Sequence, residues 1–174
     1  MSLSDFLRPH FRRIHDSLNK SCEGLSLEQF HWCPADGSNH IAFCYWHYAR
    51  SEDNLVRWVF QDHRPTVWLE EGWHERFGLD KINQGTGMPY EQARAIRFPS
   101  IEEIMTYASH SWESTDQYLA SATDEDLLKV MQGSYRRGST IADILGTALT
   151  HGAGHLGQVW TTRGFMGKGD GSPI

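Results

Sequence analysis

From Thr140 to Arg163 the chain reads TIADILGTALTHGAGHLGQVWTTR, and its period allows little but a long helix. Thr140 followed three residues later by Asp143 is a capping-box start, and beyond Arg163 the sequence dissolves into glycine. Ile144, Ala148, His151, His155, Gln158 and Thr162 recur at alternating steps of four and three, which is one stripe of a helix. At about 100° per residue, His151 and His155 project the same way from neighbouring turns, about 6 Å apart along the axis. Such a pair is either two packing or surface histidines or half of a metal site, and an open catalytic site needs a third protein ligand. The broad apolar face is built by Ile141, Ile144, Leu145, Ala148, Leu149, Leu156 and Val159, with the histidines on its shoulder. Gly152 and Gly154 each cost about 1 kcal/mol of helix propensity against alanine, a cost that close approach of another helix would justify.

Three more segments carry the same period. Leu7, Phe11, Ile14 and Leu18 mark an amphipathic helix between residues 4 and 22, with its regular part expected to begin near Pro9 or to hold Pro9 in its first turn. Asn39 is the expected N-cap of a helix running to about Asp62, with Ile41, Cys44, Tyr48, Leu55 and Val59 as its core stripe. Phe43, His47, Ser51, Asn54 and Trp58 lie along one shoulder of that helix. Ser100 with Glu103 opens a helix through Ile104, Ala108, Trp112 and Leu119 to about Ala122. Ser26 with Gln29 starts one or two turns ending at Cys33-Pro34, and Asp124 to Val130 adds a short turn before Gly133 to Gly138. Trp68 to Phe77 reads as one short helix closed by Gly78, followed by a long connection from Asp80 to Pro99. No segment alternates with period two, so the expectation is all-α: a four-helix bundle, residues 1–174 forming a single domain.

His47 borders an apolar face as the pair on the last helix does, where a lone imidazole needs a hydrogen bond or a metal. It is a core-edge histidine or the third ligand. Ser51 and Gln158, within a turn of these histidines, are candidates to orient a ligand or bound water; Phe43, Trp58, Trp73 and Phe77 are candidates to line a pocket. Glu52 points toward the core and is expected to pair with an arginine, while Cys44 suits a small buried hydrophobe.

A net charge of −6 with interspersed signs gives no footprint for nucleic acid or anionic membrane, and no apolar run reaches the ~20 residues that span a bilayer. The expected location is the cytoplasm. Three cysteines without CxxC spacing argue against a disulfide framework or zinc ribbon. An aromatic-rich chain with ample apolar helix surface suits a homodimer.

The order of motifs resembles the DinB family of DinB/YfiT-like metalloenzymes. The matching stretches are Trp32-Cys33-Pro34 ahead of a Gly-Ser-Asn loop, NHIAFCYWHYARSEDNLV with His47, EGWHERFGL, and HGAGHLGQ with His151 and His155. The resemblance implies a four-helix bundle holding one divalent metal on His47, His151 and His155. It also implies a thiol-dependent transferase or isomerase that takes a low-molecular-weight thiol and a small-molecule substrate. The small residues inside HGAGH depart from the larger ones the family often places there. Three imidazoles and an open position suit zinc first, with nickel, iron or manganese also able to bind, and the reacting group would be a water or thiol at the metal. HGAGH lacks the glutamate of HExxH, which disfavours proteolysis. Two other readings stay open: a non-catalytic metal-binding stress-response protein and a metal-dependent hydrolase.

Overall fold

The computed structural model describes residues 1–132 and 136–169. Among them every regular element is helical, and the sole β pairing is an isolated bridge between Val130 and Thr140. Helix α1 spans Leu3–Cys22 and starts earlier than Pro9 suggests. Ser2 and Asp5 form a reciprocal capping box, and Ser4 Oγ donates to the Leu119 carbonyl at 2.6 Å. These bonds hold the first turns in place, so a helix-interior Pro9 removes one backbone bond without setting the boundary. Helix α2 (Leu27–Phe30) begins at the expected Ser26–Gln29 box.

Helix α3 (Ile41–Asp53) is capped by His40, not Asn39: the buried His40 Nδ1 accepts the Phe43 amide at 2.9 Å. Past Asp53 the chain does not stay α-helical to Asp62. Residues Asn54–Val59 wind as a π segment, in which Phe60 N–H reaches Leu55 C=O and His63 N–H reaches Trp58 C=O, each five residues back. The wider turn breaks the expected shoulder stripe. Asn54 stays beside Ser51, but Trp58 swings to solvent with 41% of its surface exposed.

The expected single helix over 68–77 is split into α4 (Val67–Glu70) and α5 (Trp73–Phe77) by Gly72, whose φ of 71° is left-handed. Gly78 ends α5 as the sequence indicates. A further short helix, α6 (Tyr90–Ala95), sits inside the connection that follows. Helix α7 (Ile101–Ser121) starts at Ser100, α8 (Asp124–Leu127) fills the short turn, and α9 (Ile141–Phe165) opens on the Thr140–Asp143 box. Within the Gly133–Gly138 stretch, residues 133–135 lie outside the described residues.

Helices α1 and α3 each pack against both α7 and α9. Two apolar clusters fill the space between them, one around Leu18, Tyr48, Ile104 and Leu156 and one around Phe11, Leu119, Ile144 and Leu145. Glu52 is buried as expected, but its partner is a histidine: His15 Nε2 lies 2.9 Å from Glu52 Oε2, with Trp112 stacked flat on the His15 ring. The 63–99 excursion docks through Asp53, which accepts from the Val67 and Trp68 amides and the Tyr107 hydroxyl. No helix among the described residues is long and apolar enough to cross a membrane.

Candidate metal centre

His47 comes from α3, His151 and His155 from successive turns of α9, and their Nε2 atoms converge. His151 Nε2 lies 3.1 Å from His47 Nε2 and 3.0 Å from His155 Nε2, and the three ligand atoms all fall within 4.8 Å of one another. Two nitrogens bound to one zinc ion at about 2.1 Å and a tetrahedral angle stand about 3.4 Å apart, close to these spacings. The donor set itself fits a cation. His47 Nδ1 donates to the Gln84 carbonyl at 2.5 Å, which leaves a lone pair on its Nε2. A single proton on His151 Nε2 serves one of its two nitrogen neighbours, whereas a cation satisfies all three.

The Gln84 carbonyl is delivered by a turn with little freedom. Asp80 Oδ1 accepts the Ile82 and Asn83 amides, and Asn83 Oδ1 accepts the Gly85 amide. Gly85, at φ 93°, backs onto the site so closely that a Cβ would lie 3.0 Å from the Trp46 ring and 3.1 Å from His47 Nδ1. Trp68 Nε1 and Arg50 Nη2 tie the turn to the core through the Asp80 and Ile82 carbonyls. Sequence reasoning missed Gln84 as the group that orients His47. Asp80, Asn83 and Gly85 announce a turn, but a backbone carbonyl leaves no residue-type signal for its target.

A cavity of about 240 Å³ opens beside His47 and His151. Ser51, Asn54, Thr86, Thr147 and Arg136 give it polar walls, and Leu55, Ile144 and Ala148 its apolar side. The expected site residues divide accordingly. Ser51 faces this cavity, and its buried Oγ has no hydrogen-bond partner. Phe43 stacks on the His47 ring at 5.5 Å between centroids. Gln158 is exposed and accepts the Cys44 thiol at 3.1 Å. Trp73 and Phe77 pack in the excursion's core against Tyr107 and Phe98, away from the cavity, and Trp58 is turned out by the π segment.

The sequence model of the DinB superfamily matches residues 10–159. The chain belongs to the DinB superfamily. A solved structure described as the crystal structure of the conserved protein of locus from Enterococcus faecalis superposes with a TM-score of 0.82 at 22% identity, covering 97% of this chain and 99% of that one. That likeness shows the fold. No curated protein matches the chain.

In this DinB chain the three histidines are kept neutral, as ligands must be. Burial, helped by the neighbouring imidazoles, holds His151 down at about 4 and His155 at about 3. Burial also lowers His47, against the opposing pull of the Gln84 bond. The same desolvation pushes the Cys44 and Cys22 thiols up to about 12, so neither offers a thiolate near neutral pH. The three-histidine group can hold a metal ion.

Proposed function

We propose that the protein is a metal-dependent enzyme of small-molecule chemistry, a thiol-dependent S-transferase or isomerase acting on a small electrophile. The reading is carried by the convergence of three neutral Nε2 donors at the edge of a polar-walled cavity. When bound there, a divalent ion with an open position acts as a Lewis acid and favours the thiolate of a thiol or the hydroxide of water. Zinc is favoured, and nickel, iron and manganese also accept imidazole. The chain's own groups hold the geometry. The Gln84 carbonyl fixes the His47 ring, and Phe43 shields one face of it. Cys22 and Cys44 are held protonated and Cys33 is not among the described residues lining the cavity, which suits a low-molecular-weight thiol as cosubstrate.

One observation favours a non-catalytic metal-binding role instead: among the described residues lining the cavity there is no carboxylate to serve as general base. The two readings separate in one screen. Zinc-, nickel-, iron- and manganese-loaded protein is assayed against electrophiles with and without low-molecular-weight thiols, with His155→Ala alongside. Thiol-dependent turnover that disappears in the variant supports the enzyme; no turnover in any loaded form supports the binding role. We also propose that the protein works in the cytoplasm as a homodimer. Exposed Phe6, Trp58 and Leu128 are consistent with a second copy, and light scattering at the 19.9 kDa mass of one chain would count against it.

A further inference from the structure

We propose that the cavity beside the three histidines receives a small organic acid, whose carboxylate pairs with Arg136 while its reactive end faces the metal site. The inference rests on the metal-site reading above and adds the chemical class of the substrate.

Its first support is the charge inventory of the cavity. The lining holds one permanent cation, Arg136, the two candidate ligands His47 and His151, and uncharged hydroxyl and amide groups, with no acidic side chain among the described lining residues. A divalent ion held by the three histidines would add positive charge beside the same cavity, and no acidic side chain among the described lining residues would offset it. In a chain of net charge −6 this is a local inversion of sign, and it selects an anion.

The second support is how Arg136 is placed. It sits in the loop before α9 with φ 45°, a left-handed backbone that residues bearing a side chain rarely adopt. The loop is clamped around it. Met131 N–H donates to the Ser139 carbonyl, Gly138 N–H to the Met131 carbonyl, and Ser139 N–H to the Arg136 carbonyl itself. Arg136 is exposed and lines the cavity, so this backbone outlier sits at the cavity's solvent-facing side, where such outliers are often retained for function. A planar guanidinium pairs with a carboxylate through two parallel bonds.

Size is the third. A volume of about 240 Å³ lies below the range of pockets that take drug-sized molecules, which leaves room for an acid of a few carbons.

The test is binding calorimetry on the full zinc-loaded chain, with zinc content measured in each sample. The probes are 3-mercaptopropionate, 2-mercaptoethanol, propionate and inorganic phosphate; the proteins are wild type, Arg136→Gln and Arg136→Lys. The mercapto acid is expected to bind about tenfold or more tightly than the neutral thiol, as a charge-assisted pair supplies. Arg136→Gln should erase that advantage while leaving mercaptoethanol affinity and zinc content unchanged, and Arg136→Lys should restore part of it. Equal affinities in wild type, or an advantage that survives in Arg136→Gln, overturns the inference. Phosphate binding more tightly than propionate overturns the carboxylate assignment. If neither thiol binds while zinc remains at full occupancy, the open-site reading falls and propionate decides: binding lost in Arg136→Gln upholds the acid site, and no binding ends it.

Discussion

Gly152 lies directly under the ring of Tyr48: a Cβ at that glycine would sit 2.6 Å from Tyr48 Cε2 and 3.0 Å from Ile14 Cγ2. The two residues each adjoin a candidate ligand, His151 on α9 and His47 on α3. Their contact therefore sets the helix spacing at which those imidazoles meet. Gly152 justifies its poor helix propensity in this way, whereas Gly154 has no neighbour within 4 Å of a would-be Cβ.

Alanine at these two glycines should act in opposite directions. At Gly152 overpacking against a fully buried tyrosine costs about 1–3 kcal/mol, more than the roughly 1 kcal/mol of helix propensity gained, and metal affinity should fall as His151 is pushed from His47. Gly154→Ala gains up to about 1 kcal/mol with no clash. Urea unfolding of both variants decides it; a Gly152→Ala chain as stable as the parent would show that the contact is slack.

The ligand assignment predicts one divalent ion per chain by elemental analysis. His47→Ala, His151→Ala and His155→Ala should each lose most of it, because two imidazoles cannot hold the ion as three do. Exposed His10 and His63 should be replaceable without effect. Full occupancy in any one of the three triad variants would remove that residue from the site.

Acid sensitivity of the metal-free protein should trace in part to His40. Burial pushes it down to about 4, and its Nδ1 must stay unprotonated to accept the Phe43 amide. A folded-state value below the unfolded one, near 6.5, means that the unfolded chain takes up the proton first. The contribution is complete above about pH 6.5 and drains away as pH falls toward 4. Asparagine caps a helix without titrating, so His40→Asn should show a smaller drop in urea midpoint between pH 7.5 and 5. Parallel pH profiles for the two proteins would exclude His40 as a contributor.

Thiol labelling should single out Cys33. Cys22 and Cys44 are buried, while Cys33 is partly exposed although its thiol is also raised by desolvation. A slow alkylation of the native protein that vanishes in Cys33→Ser is expected, read by intact mass. Rapid labelling of Cys44 would mean that the site opens far more than its packing suggests.

The starts capped by Ser26, Ser100 and Thr140 were legible in the sequence, because each carries its partner three residues on, whereas Pro9 masked the equivalent Ser2–Asp5 box and Asn39 stood in for the true cap, His40. The π segment was not, since its signal is a backbone register and Trp58 fits an α-helical stripe equally well on paper. Shoulder placement made the three histidines candidates, and motif order joined them. The Gln84 carbonyl and Arg136 stayed hidden because both reach the site from loops whose course depends on tertiary packing. Trp73 and Phe77 show an ambiguity of the same kind: aromatic residues in an irregular stretch suit a pocket wall or the excursion's own packing, and here they stack on one another in the core.

His47 and His151 are 104 positions apart in a chain whose cysteines are all free. An ion shared between them would staple the first half of the molecule to the last helix, closing a loop that a covalent crosslink of similar span stabilises by about 4–5 kcal/mol. Unlike a disulfide, this staple answers to metal supply and to chelators, not to redox potential. Resistance of the folded chain to heat or proteases would then report how much free metal surrounds it.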